Sequence, residues 1–347
     1  MAWAAIWQDG RRMPLDGFPP CRSHPEAQLP VLSLWLEMTM PRRARKPLRL
    51  WQGASDPDRA IAVYLMPDGA LRMLHGDTLD VRTAPGFIAA GQVLVLRIVA
   101  CERGRSDIVD ALNADTGMRH RARAGLASSP RLADALPRVQ GFADAAHVAA
   151  VATHAIPVTD IPGIESGARV ATPLGEVPIE RIEPGMEVLA HDGTPHVVRW
   201  TDTRERLCLG RAAPVQLRAP YFGLAADICV TPETRLMRQG AEVEYLAGTD
   251  RVLIRAADLV SGRAARFDRR RPLRRFHHLM LDDPACLRLW RCQVETAFLS
   301  EVLAAEDAGP TLARPDARDC VPSLPLLDRA AARALLAQGA GAQSFVL

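Results

Sequence analysis

Two Asp-Gly turns, each set between apolar runs, restrict this chain more than any other feature. Ile61-Ala62-Val63-Tyr64-Leu65-Met66 and Leu71-Arg72-Met73-Leu74 flank Pro67-Asp68-Gly69, and a second apolar pair flanks Asp192-Gly193. An Asp-Gly step accepts positive φ at both central positions, so each stretch predicts a β-hairpin. Further strand signals surround the first hairpin. Leu32, Leu34, Leu36 and Met38 alternate with Ser33, Trp35 and Glu37, and Val93–Val99 is an apolar run long enough for a buried strand. The expected fold class is all-β.

A longer pattern runs through the middle of the chain. Gly163-Ile164-Glu165-Ser166-Gly167-Ala168-Arg169-Val170-Ala171-Thr172-Pro173-Leu174-Gly175 is followed by Glu183-Pro184-Gly185-Met186-Glu187-Val188-Leu189 and then by the Asp192-Gly193 hairpin. Further on come Val230-Thr231-Pro232-Glu233-Thr234-Arg235 and Phe276-His277-His278-Leu279-Met280-Leu281-Asp282-Asp283-Pro284-Ala285. In order and spacing these blocks resemble a bacterial Hint (Hedgehog/intein) domain over roughly residues 161–300. The resemblance implies a horseshoe-shaped β domain that attacks the peptide bond at its own start, here Pro162–Gly163.

The same resemblance implies site positions 163, 231 and 234, and two of the three are changed. Gly163 stands where the family has its nucleophilic cysteine, and Thr234 where it has a histidine, while Thr231 is kept. Pro284 and Ala285 replace a closing His-Glu. A glycine has no atom that could form the thioester, and a hydroxyl does not exchange a proton near neutral pH. Loss of a general acid alone typically costs about 10²–10⁴-fold. The expectation is a catalytically degenerate domain acting as a binding or scaffold module; the alternative is an active autoproteolytic domain using a non-standard nucleophile such as Ser166 or Thr172. Ser166 lies three residues past Gly163, an odd offset that turns it to the other face of a strand. On this reading Gly163→Cys with Thr234→His restores some thiol-induced cleavage.

Other functional classes find little support. The formal charge is +3 and Lys46 is the single lysine, so the basic runs Arg42–Lys46 and Arg263–Arg275 read as solvated surface, and no nucleic-acid partner is expected. Seven cysteines, at 21, 101, 208, 229, 286, 292 and 320, include no Cys-x-x-Cys pair, which suggests reduced and mostly buried thiols. No cofactor and no metal is expected. Of the potential ligands His277, His278, Asp282 and Asp283, adjacent histidines on a strand point to opposite faces, and His278 is read as a structural partner near Asp282. His191 and His196, flanking the hairpin turn, are expected to be exposed. No run approaches the ~18–20 apolar residues of a membrane span. Met1–Trp7 meets Asp9 too early for a signal segment, which leaves the cytoplasm as the default compartment.

The expected organisation is an irregular lead-in over 1–29, a small β-sandwich over 30–125, a linker over 126–160 with one short helix in the alanine-rich 143–152, the Hint-like domain over 161–300, and a tail over 301–347 with a helix from Asp328 to Gln338. The order of strands in 30–125 resembles a laminin-G-like or lectin-like jelly roll, which implies a protein or glycan partner.

Overall fold

The computed structural model describes residues 2–15, 17–19, 21–42, 45–76, 79–102, 106–126, 129–138, 146–157, 160–304 and 322–339. The chain divides into two compact units, Met1–Val158 and Thr159–Leu347. Both are built from antiparallel strands, with only short helices, so the chain is all-β.

The first unit contains β1 (Trp3–Gln8), β2 (Arg11–Arg12), β3 (Val31–Thr39), β4 (Leu48–Gln52), β5 (Ile61–Leu65), β6 (Leu71–His75), β7 (Leu79–Arg82), β8 (Val93–Cys101), β9 (Ser106–Asn113), β10 (Arg119–Leu126) and β11 (Val148–Ala152). One sheet runs β10-β9-β8-β3-β11-β1-β2 and the other β4-β5-β6-β7. Leu32, Leu34, Leu36 and Met38 from the first meet Trp51, Ile61, Val63 and Met73 from the second in one buried core. The alternation along β3 thus selects its inward face.

This sandwich is larger than the sequence suggested, at both ends. The expected irregular lead-in holds β1, whose Trp3, Ala5, Ile6 and Trp7 are buried. Asp9 (φ 47°) and Gly10 (φ 76°), both left-handed, turn it into β2. The expected linker holds β11, paired between β1 and β3 with every residue buried. Alanine's helix propensity yields there to a strand closed in on both sides, where small side chains fit. The remainder of the expected 143–152 helix lies outside the described residues up to residue 145, and the short helix of this region is Leu132–Ala135.

The second unit contains β12 (Ile164–Glu165), β13 (Arg169–Thr172), β14 (Gly175–Pro178), β15 (Glu187–Leu189), β16 (Pro195–Leu207), β17 (Val215–Leu217), β18 (Ile228–Val230), β19 (Arg235–Gln239), β20 (Arg251–Arg255), β21 (Ala265–Phe267), β22 (Leu273–Leu281), β23 (Cys286–Leu289) and β24 (Cys292–Glu295). Its main sheet runs β15-β16-β22-β12-β18-β17-β21, with β20-β19-β24-β23 and the hairpin β13-β14 beside it. The long strands β16 and β22 pair from Leu207–Leu273 to Val198–Leu281. Here too the tail is more ordered than expected. Residues 325–327 bond β20 through Leu253 N to Pro325 O at 2.8 Å and Leu327 N to Leu253 O at 2.9 Å. Asp328 caps the helix Arg329–Gly339 through its Oδ1, 2.8 Å from Ala331 N, and Ala332 and Leu335 enter the core. Phe345–Leu347 lie outside the described residues. Among the described residues no helix is long and apolar enough to cross a membrane.

Both Asp-Gly hairpins are present, with a turn different from the two-residue type anticipated. Met66 N bonds Ala70 O at 2.8 Å and Ala190 N bonds Thr194 O at 2.9 Å, leaving three-residue loops in which glycine alone is left-handed (Gly69 φ 79°, Gly193 φ 86°). The aspartate works through its side chain, Oδ1 accepting from Ala70 N at 3.0 Å and from Thr194 N at 2.9 Å.

Candidate functional site

The short strand β12 is held between β18 and β22: Ile164 lies opposite Val230 on one side and His277 on the other. One residue earlier, this register brings Gly163 between Thr231 and His278. Thr231 N donates to Gly163 O at 2.9 Å. Gly163 N donates to the hydroxyls of Thr231 and Thr234, at 3.0 and 3.1 Å, and the Thr234 hydroxyl reaches Gly163 O at 3.1 Å. Thr231 Oγ1 lies 3.1 Å from Ile161 O and 2.9 Å from Thr234 Oγ1. Positions 163, 231 and 234, far apart in sequence, are therefore mutual neighbours, and both threonines are buried. The amide and carbonyl of residue 163 are fully hydrogen-bonded in the ground state.

His278 occupies the other side of the bond. Its Nδ1 donates to Pro162 O at 2.7 Å. Burial pushes this imidazole down to about 3, helped by the Arg206 and Arg204 guanidiniums, so the ring is neutral. With Nδ1 carrying the proton, Nε2 is a bare acceptor, buried and without a hydrogen-bond partner among the described residues. The expectation that His278 pairs near Asp282 is corrected: four residues along a strand span about 13 Å. It is His196, on the neighbouring strand, whose Nδ1 lies 3.1 Å from Asp282 Oδ1. His196 and His191 are both only partly exposed, and His191 Nε2 accepts from Arg251 at 2.8 Å.

The ring also fills the space that a side chain at position 163 would need. A Cβ built there would lie 2.5 Å from His278 Cε1, 2.8 Å from His278 Nδ1 and 3.1 Å from Thr231 Cγ2. Gly167, Gly175, Gly185 and Gly193 are glycine for a different reason: each has positive φ and open space around it. Beside Pro162 and Gly163 a void of about 10 Å³ remains, lined also by His277, Glu295 and Thr296. It holds at most one water.

The family described as "Hint domain" matches residues 162–301. This segment is a Hint domain. Among solved structures, the bacterial intein-like domain from Clostridium thermocellum is similar at 14% identity, covering 40% of this chain and 100% of that one, with a TM-score of 0.30. The MchDnaB-1 intein (N145AA) is similar at 17% identity, covering 39% and 99%, with a TM-score of 0.25. At these scores the likenesses carry no weight for function. No curated protein matches the chain.

Within the Hint domain, the candidate alternative nucleophiles are engaged elsewhere. Ser166 Oγ bonds His277 Nε2 at 2.8 Å, and His277 Nδ1 meets Thr203 Oγ1 at 3.0 Å. Thr172 Oγ1 donates to Gly175 O at 2.6 Å inside the β13-β14 hairpin. Pro284 and Ala285 sit on the turn between β22 and β23. Burial pushes the thiols of Cys208, Cys229, Cys286 and Cys292 up to about 12, which keeps them protonated.

One supporting group was not legible in the sequence. Arg235 follows Thr234 and is buried among Glu295, Glu301 (2.7 Å) and the ring of Phe298, 4.3 Å from its centroid. Glu295 also accepts from Ser323 N and Oγ at 2.6 and 2.7 Å. This network anchors the start of β19, and so fixes Thr234 against Gly163.

Proposed function

We propose that the Hint domain of this chain no longer cleaves the Pro162–Gly163 bond and persists as a folded binding module. The observation that carries this reading is the combination at one peptide: no side-chain atom on residue 163, and a buried neutral imidazole in the volume such a side chain would take. Acyl transfer needs a nucleophile within reach of the Pro162 carbonyl carbon and a proton donor for the departing nitrogen. Thr234 supplies neither. Its hydroxyl instead binds the backbone of Gly163 at both N and O.

One observation favours the opposite reading, an active domain with a non-standard nucleophile. The His278 Nδ1–H donated to Pro162 O would polarise that carbonyl and stabilise negative charge developing on the oxygen. Intact mass distinguishes the two. The full chain, purified and incubated with hydroxylamine or with dithiothreitol, is expected to keep its full mass; stoichiometric fragments divided between Pro162 and Gly163 would refute the inactive reading.

A further inference from the structure

A cleft of about 1290 Å³ opens in the second unit, away from Gly163. β19 and β24 connect the two places: Leu236–Gln239 and Cys292–Gln293 line the cleft, and the other ends of the same strands carry Arg235, next to Thr234, and Glu295. The cleft exceeds the ~300–1,000 Å³ of sites that enclose one small molecule. An extended ligand fits it better.

Its chemistry is consistent from wall to wall. Arg238, Arg288 and Arg291 contribute guanidiniums against a single carboxylate, Glu242. Among the described residues neither Arg288 nor Arg291 has an ion-pair partner, and Arg291 is exposed. Apolar surface comes from Tyr221, Phe222, Leu224, Met237 and Trp290. Phe222 and Trp290 hold left-handed backbone, φ 60° and 52°, a conformation that non-glycine residues rarely adopt and that clusters at ligand sites. Gly223 completes the arrangement, because a Cβ there would lie 2.5 Å from Arg291 Cβ.

We infer that this cleft binds an acidic, extended peptide segment, carboxylates to the arginines and apolar side chains to the aromatic and aliphatic wall. The aromatics decide against a single-stranded nucleic acid. Phe222 is buried with Arg238 over its ring at 5.9 Å, and Tyr221 and Trp290 are half-buried against the core, unlike the run of exposed rings on which successive bases stack. The inference is independent of the chemistry at Gly163, since no cleft residue touches that peptide.

The test is fluorescence anisotropy with the full chain and a labelled acetyl-Asp-Glu-Leu-Asp-Phe-Glu-Asp-Leu peptide. Saturable binding is expected, weakening with salt and falling about tenfold or more in Arg288→Glu/Arg291→Glu. Arg291 is exposed and Arg288 half-buried, and circular dichroism melting checks that the variant folds. Arg288→Lys/Arg291→Lys, which keeps the charge, is the second variant and is expected to retain most of the binding. No saturation up to millimolar peptide, equal binding of a peptide with Arg and Lys at the acidic positions, or an unchanged affinity in the charge-reversed variant would overturn the proposal. So would tight binding of oligo-dT in place of the peptide.

Discussion

The His278 imidazole stands where the first carbon of any side chain on residue 163 would stand, 2.5 Å from a Cβ built on Gly163. The ring is fully buried and tied to Pro162 O, so it cannot simply swing into solvent. Gly163→Ala should therefore act as overpacking and destabilise the Hint domain by about 1–3 kcal/mol. Chemical denaturation followed by circular dichroism measures it. Pairing the change with His278→Ala should recover part of the loss; equal melting of wild type and Gly163→Ala would mean that the ring yields without cost.

The same contact revises what restoring the family residues can achieve. Sequence alone suggests that Gly163→Cys with Thr234→His brings back thiol-induced cleavage. The thiol, however, has to enter the volume of the imidazole, and the new histidine loses the hydroxyl that holds both polar atoms of Gly163. The double variant is expected to be less stable than the native chain and to remain uncleaved after overnight dithiothreitol. A fragment pair on a denaturing gel would contradict this.

A pH dependence follows from the buried ring. His278 is pushed down to about 3 in the folded chain, against about 6.5 when unfolded. Below the unfolded value the unfolded chain takes up a proton that the folded chain refuses, so stability present above pH ~6.5 is lost as pH falls toward 3. One such proton gives a slope of about 1.4 kcal/mol per pH unit at its steepest. His277, lowered by burial, adds in the same direction. Urea midpoints at pH 7, 6 and 5 should show the loss, and His278→Gln, which can still donate to Pro162 O, should flatten it.

How far the sequence revealed these features differs between fold and site. Hairpins and the alternating strand β3 were readable because side-chain period and turn chemistry are local properties. β1 is only half legible: Asp9-Gly10 after an apolar run is the same turn signal as in the two hairpins, but the strand that covers the other edge of β1 is β11, at 148–152. β11 could not be read locally, since alanines become a strand there only because β1 and β3 close on both sides. Likewise, Gly163 and Thr234 stand out in the sequence by the resemblance alone, while the ring of His278 beside Gly163 depends on the β12–β22 register, which no neighbouring residues encode.

The first unit holds a second buried histidine with the opposite sign. His75 lies on β6 with Asp107 of β9 and Asp134 of the helix Leu132–Ala135 on either side, both at 3.4 Å and all three buried. Cys101 N also donates to Asp107 at 2.9 Å, and Arg131 N to Asp134 at 2.8 Å. Burial pulls the imidazole down, but the hydrogen bonds it donates to Asp107 and Asp134, with their negative charge, outweigh it and the net shift is upward. Its charged form therefore contributes stability that is complete below pH ~6.5 and is lost as pH rises through the raised value. His75→Leu leaves two buried carboxylates without their shared cation, and removal of one partner from such a group costs about 3–5 kcal/mol. The loss should be largest at pH 6 and smaller at pH 9, the reverse of the His278 trend. A guanidinium titration of the variant at both pH values, read through the tryptophans of the sandwich, measures it; equal losses at pH 6 and pH 9 would show that His75 is neutral in the folded chain.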